Sequence, residues 1–117
     1  MKNKSLEDLQ KILADFAKAR DWDKFHSPKN LSIALSVEAS ELIEIFQWLT
    51  EEESNNLSSE QLIQVEEEMS DVLLYLLQLS GKLNINILEA AYRKLEANND
   101  KYPVEACFGL AKKYTEL

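Results

Sequence analysis

The sequence predicts an all-α protein built as a four-helix bundle, and three observations predict it. Gly and Pro number only two each in 117 residues, too few for the turns that a many-stranded protein needs. Apolar residues recur at helical spacing in successive long segments. The hydrophobic fraction is 45%, enough for a core and too high for a disordered chain. A length of 117 residues suits one domain. The expectation is a single domain over residues 1–117, less regular from about residue 103.

Helix one is expected to start at Ser5, which with Asp8 makes a variant of the capping box. Leu9, Ile12, Leu13, Phe16 and Ala17 then share one face. Asp21 to Ser27 reads as a loop carrying Trp22, Phe25 and His26. Ser27-Pro28 reads as an N-cap followed by proline at the first helical position, where a missing N–H does no harm. Helix two should run to about Leu49, and polar Thr50 to Ser58 should connect it to helix three. Helix three should span about Ser59 to Leu83. Its middle, Val72-Leu73-Leu74-Tyr75-Leu76-Leu77-Gln78-Leu79, is apolar nearly all round, as in a helix buried on several sides. Asn86 with Glu89 opens helix four, expected to reach about Asn98.

Composition excludes several roles. The formal net charge is −8, and there is no basic run of the kind that replaces counterions on nucleic acid. No apolar run is long enough to span a bilayer, and the polar start at Met1 to Asp8 has no signal-peptide core. A single cysteine, Cys107, allows no intrachain disulfide, which fits a reducing cytoplasm.

The informative residues are carboxylates on apolar faces. With helix two wound at about 100° per residue and Glu38 at zero, Leu31 and Leu49 fall near 20°, Ile45 near −20° and Glu41 near −60°. With Glu68 at zero in helix three, Asp71 falls near −60°, Tyr75 near −20° and Leu79 near 20°. Each pair is three residues apart, so its members are side-chain neighbours. The plain alternative is glutamates at a stripe edge that reach to solvent. A carboxylate within the stripe needs a cation or loses its charge. Two facing pairs would give an all-oxygen site suited to magnesium or manganese. A di-iron site in a helical bundle needs two Glu-x-x-His motifs, and the only histidine here is His26. A divalent ion in such a site activates water and neutralises phosphoryl charge, which points to phosphoryl or pyrophosphoryl transfer without choosing the substrate.

Glu38-x-x-Glu41, twenty-six further residues and then Glu68-x-x-Asp71 resembles the motif of the MazG-like all-α nucleoside triphosphate pyrophosphohydrolases. Arg20-Asp21-Trp22-Asp23-Lys24-Phe25-His26, Pro28-x-Asn30-Leu31 and Glu41-Leu42-x-x-x-Phe46-Gln47-Trp48 resemble their dCTP pyrophosphatase branch. So do Glu67-Glu68-x-Ser70-Asp71-Val72-Leu73-x-Tyr75-Leu76 and the ending Lys112-Lys113-Tyr114-Thr115-x-Leu117. The resemblance implies hydrolysis of a nucleoside triphosphate, dCTP first, to a monophosphate and pyrophosphate. It implies that Glu38, Glu41, Glu68 and Asp71 hold Mg2+, with Mn2+ as a substitute. Glu41, with Glu38 beside it, is the catalytic choice for orienting or deprotonating the attacking water. Trp22, His26, Trp48 and Tyr75 match residues that enclose the base and sugar. Lys94, Asn98 and Tyr102 match positions near the phosphates.

Each of these residues also has an ordinary reading. On helix geometry Trp48 suits a pocket wall beside Glu41, while Trp22 reads equally as pocket or core. Tyr75 reads equally as a buried tyrosine bonded to a carboxylate, His26 as a loop histidine, and Lys94 as a solvated lysine.

Two departures leave the base preference open. Leu13 stands where vertebrate members of the branch tend to have a polar residue that helps hold the substrate. After Asn98 the family is usually rich in basic residues, but Asn99-Asp100-Lys101 offers one. The excess apolar surface of helix three and the resemblance together predict a homotetramer, a dimer of dimers. The rival readings are a phosphoribosyl-nucleotide pyrophosphohydrolase and a non-enzymatic helical oligomerisation module.

Overall fold

The computed structural model describes residues 4–117, and all regular structure among them is helical. Met1 to Asn3, the first part of the polar start, lie outside the described residues. The chain divides into two compact units, one ending at Ile85 and the other spanning Asn86–Leu117.

The first unit contains α1 (Leu6–Ala19), a 3-10 turn (Asp23–Phe25), α2 (Pro28–Phe46), the short α3 (Glu51–Ser54) and the long α4 (Ser59–Lys82). Side-chain caps explain the starts. Ser5 Oγ accepts from the Asp8 amide at 3.1 Å, and Ser27 Oγ accepts from the Asn30 amide at 3.1 Å with Pro28 behind it. Ser58 and Gln61 form a reciprocal capping box at the head of α4. Each satisfies amides that the first helical turn would otherwise leave bare.

The expected limits shift where caps intervene. Helix two was expected to reach Leu49 but ends at Phe46. Thr50 and Glu53 form a second capping box, which starts α3 and requires the chain to leave α2 first. The expected connection from Thr50 to Ser58 therefore contains a helical turn. Asp21 (φ 56°) and Asn84 (φ 54°) sit just past the ends of α1 and α4 in the left-handed region, where Asp and Asn are tolerated best among non-glycine residues.

Helix α4 packs chiefly on α2 and also on α1. The α2–α4 pairing is antiparallel. Glu41, Glu44 and Ile45 share a depression with Gln64, Glu67 and Glu68, whereas Leu49, later in the chain, shares one with Gln61, earlier on α4. The buried core is small: Leu13 and Ala17 of α1, Leu31 of α2, and Val65, Leu77 and Ser80 of α4. Leu31 and Leu77 are the largest fully buried side chains. Ser80 is buried because Gln10 Nε2 donates to its Oγ at 2.9 Å and to the Leu77 carbonyl at 2.8 Å.

The apolar middle of α4 is less buried than expected. Leu73 is exposed and its apolar neighbours other than Leu77 are half-buried, because helix neighbours within the unit cover only part of the circumference. Ile33, Val37 and Ile43 of α2 and Leu62, Ile63 and Met69 of α4 are also exposed.

The second unit consists of α5 (Ile87–Lys101), the short α6 (Val104–Cys107) and a 3-10 turn at Tyr114–Glu116. Asn86 caps α5 by accepting from the Glu89 amide at 3.1 Å. The helix continues past the expected end at Asn98 because no breaker precedes Pro103, and Tyr102 before that proline has left the helical region (φ −123°, ψ 68°). Tyr102 packs edge-on against Tyr114, with Lys101 Nζ over the Tyr114 ring. No helix among the described residues is long and apolar enough to cross a membrane.

Candidate metal and active site

Antiparallel pairing of α2 and α4 turns the two carboxylate pairs toward one seam. Glu38, Glu41 and Glu68 each place a carboxylate oxygen within 4.8 Å of the others. Glu38 and Glu68 are half-buried, and Oε2 of each is shut off from solvent with no hydrogen-bond donor. Asp71 lies outside this group of three, yet its charge bears on both Glu38 and Glu68.

The electrostatics record the crowding. Burial, the adjoining Glu41 carboxyl and the charges of Asp71 and Glu68 push Glu38 up from 4.5 to about 7. Burial raises Glu68 as well, again with Glu41 and Asp71 contributing. A buried carboxylate oxygen without a donor is costly, and like charges this close disfavour joint ionisation. A divalent cation relieves both. Hard oxygen donors with unused lone pairs facing one small volume fit Mg2+ or Mn2+, so the residues present suit such an ion. Beside the cluster an open depression of about 460 Å3 is lined by Glu41, Glu44, Ile45, Gln64, Glu67 and Glu68.

The other expected site residues fall in different places. His26 lines a second cavity, of about 440 Å3, between α1 and the C-terminal end of α4. Trp22 packs edge-on against Phe16 at 5.6 Å and against His26 at 6.4 Å between ring centroids. It is thus an aromatic neighbour of that cavity and no core residue, being 42% exposed. Tyr75, half-buried, lies on α4 between the carboxylates and this cavity. Trp48 lies beyond the end of α2 and is 85% exposed. Lys94 and Asn98 lie on α5 and Tyr102 at its C-cap, all in the second unit.

Sequence reading did not single out Gln10 or Gln78, both of which line the second cavity. The available signal was Gln78 itself, an amide interrupting an apolar run. Leu13, read as a departure from the branch's pattern, is a buried wall of the same cavity.

The MazG-like family model matches residues 33–117. Over 115 residues the chain is 40% identical to dCTP pyrophosphatase 1 of Bos taurus and 39% identical to that of Homo sapiens, spanning 97% of this chain and 68% of each relative. The crystal structure of a pyrophosphatase from Archaeoglobus fulgidus superposes with a TM-score of 0.81 at 43% identity, covering 88% of this chain and 96% of that one. Sequence and fold thus agree across the helices that bring the carboxylates together, and the chain belongs to the MazG-like family.

Proposed function

We propose that the protein is a magnesium-dependent nucleoside triphosphate pyrophosphohydrolase whose first substrate is dCTP, releasing the monophosphate and pyrophosphate. One observation carries the reading: Glu38, Glu41 and Glu68 converge at the α2–α4 seam with two buried oxygens that no donor of the chain satisfies. The names of the relatives, dCTP pyrophosphatase 1 and a pyrophosphatase, support the reaction and the choice of base.

Glu38, Glu41, Glu68 and Asp71 would hold the ion. When bound, it supplies activation of water and charge neutralisation on the phosphoryl oxygens. Glu41 would orient the attacking water and accept its proton, with Glu38 alongside, a role supported by its place both in the carboxylate cluster and on the lining of the open depression. The water oxygen bonds to phosphorus, the α–β anhydride bond breaks, and pyrophosphate leaves. Trp22, His26, Trp48 and Tyr75 are proposed to enclose base and sugar. Lys94, Asn98 and Tyr102 are proposed as phosphate contacts. A cytoplasmic role in clearing unwanted deoxynucleotides fits this chemistry.

The same reading includes a single functional domain and a four-helix bundle assembled into a homotetramer. Exposed Ile33, Val37 and Ile43 of α2 and Met69 and Leu73 of α4 support it, since large apolar side chains left exposed on these helices gain from burial against another copy.

Three outcomes are expected. Purified protein converts dCTP to dCMP and pyrophosphate only with magnesium, and Glu41→Gln lowers turnover by about a hundredfold or more without unfolding the chain. Failure to hydrolyse any triphosphate would favour a phosphoribosyl-nucleotide substrate or a non-enzymatic module, both of which a substrate panel tests. Light scattering at micromolar concentration gives the mass of a tetramer; a monomer contradicts the proposed assembly.

The third outcome concerns pH. Glu38 is raised to about 7 in the folded metal-free chain, against 4.5 unfolded. Between those values the folded state binds more protons than the unfolded state, so stability falls as pH rises through that window and levels off above it. Glu68 acts in the same direction. Urea titrations of metal-free protein should show this fall, and Glu38→Gln should flatten it. A slope that the substitution leaves unchanged would place the titration elsewhere.

A further inference from the structure

Asn30 stands in the first turn of α2. Its amide N–H donates to Ser27 Oγ at 3.1 Å, which fixes its backbone at the head of the helix. Its side chain reaches back to the preceding 3-10 turn, where Nδ2 donates to the Phe25 carbonyl at 3.0 Å. The peptide that joins Phe25 to His26 is therefore held on both edges. Its oxygen accepts from Asn30, and its N–H donates to the Asp23 carbonyl at 3.1 Å. A peptide unit is planar, so fixing its two polar groups fixes the direction in which the chain enters His26. His26 then meets Trp22 edge-on at 6.4 Å between ring centroids.

The tie on the far side of this segment is looser. Lys82 Nζ lies 3.6 Å from Asp23 Oδ1, and both side chains are partly exposed, where an ion pair contributes little. Asn30 has a helical backbone and a short side chain, so its bond costs less conformational freedom than one from a long lysine. Glu38 and Glu41 stand farther along the same helix. One rigid element thus carries two of the carboxylates and, through Asn30, sets the place of His26 and its neighbour Trp22.

We propose that Asn30 is a positioning residue whose side-chain amide registers Trp22 and His26 against the carboxylates of α2. The proposal rests on the triphosphate reading above and deepens it. Asn30 acts on the substrate only through these two residues. A wall out of register weakens binding of substrate and transition state alike, so KM rises while kcat holds.

Asn30→Asp separates position from stability. The first turn of α2 has no acidic residue, and a carboxylate there favours the helix dipole, so the substitution keeps or strengthens the helix. The same carboxylate sets acceptor against the Phe25 carbonyl and releases the clamp. Asn30→Ala removes the donor without adding charge. His26 is the only histidine of the chain, so its imidazole proton resonances in tag-free protein report its place beside Trp22. In both variants those resonances should move toward the values of an unstructured histidine. KM for dCTP should rise by roughly fivefold, as expected for one lost hydrogen bond, with kcat within about twofold of wild type. The urea midpoint of Asn30→Asp should be no lower than that of the wild type. Unchanged His26 resonances in folded Asn30→Asp would overturn the proposal, and so would a fall in kcat at unchanged KM. A urea midpoint lowered in both variants in step with the loss of turnover would also overturn it, as the mark of an asparagine that only supports the fold. Absence of turnover of every triphosphate by the wild type would instead contradict the function on which the proposal rests.

Discussion

Mutual repulsion among carboxylates at the α2–α4 seam is the constraint on which the rest of the first unit depends. Glu38, Glu41 and Glu68 crowd within 4.8 Å, and Asp71 adds its charge. Such a cluster opposes folding unless other contacts hold the helices together. Leu31 and Leu77 supply full burial on the same two helices, and reciprocal caps at Thr50 and Ser58 fix the chain where it turns between them. Stability is given up at the seam and recovered around it, a common trade where a site must be ready for a ligand.

The same constraint links composition to chemistry. A net charge of −8 suits a protein that needs cations to complete its site. The raised Glu38 and the orphaned oxygens of Glu38 and Glu68 describe a site strained toward cation binding. Substrate brings further negative charge on its phosphates, so metal and nucleotide belong together there. The cavity toward the end of α4 offers the complementary chemistry, with apolar and aromatic surroundings and amide groups.

Much of this was legible in the sequence because helix geometry is regular. Winding at a fixed angle placed Glu38 and Glu68 on apolar faces, and both are half-buried in the structure. Ser5, Ser27 and Asn86 were readable as caps because their hydrogen bonds are local. The reading was less successful where the outcome depends on packing between helices. Nothing local announces that Gln10 crosses to Ser80, or that Leu13 and Gln78 share a cavity. The end of α2 was missed because the Thr50–Glu53 box competes with helix continuation. A wheel extended to Leu49 put Trp48 beside Glu41, and that placement does not apply once the helix stops at Phe46 and leaves Trp48 largely exposed past its end.

The central claim is that these carboxylates form a divalent-metal site. Titrating Mn2+ into metal-free protein while following the paramagnetic resonance of the free ion tests it most directly. The account predicts saturable uptake that magnesium displaces and that Glu68→Gln weakens by about tenfold or more. Uptake that is absent, or that is indifferent to Glu68→Gln in folded protein, would contradict it.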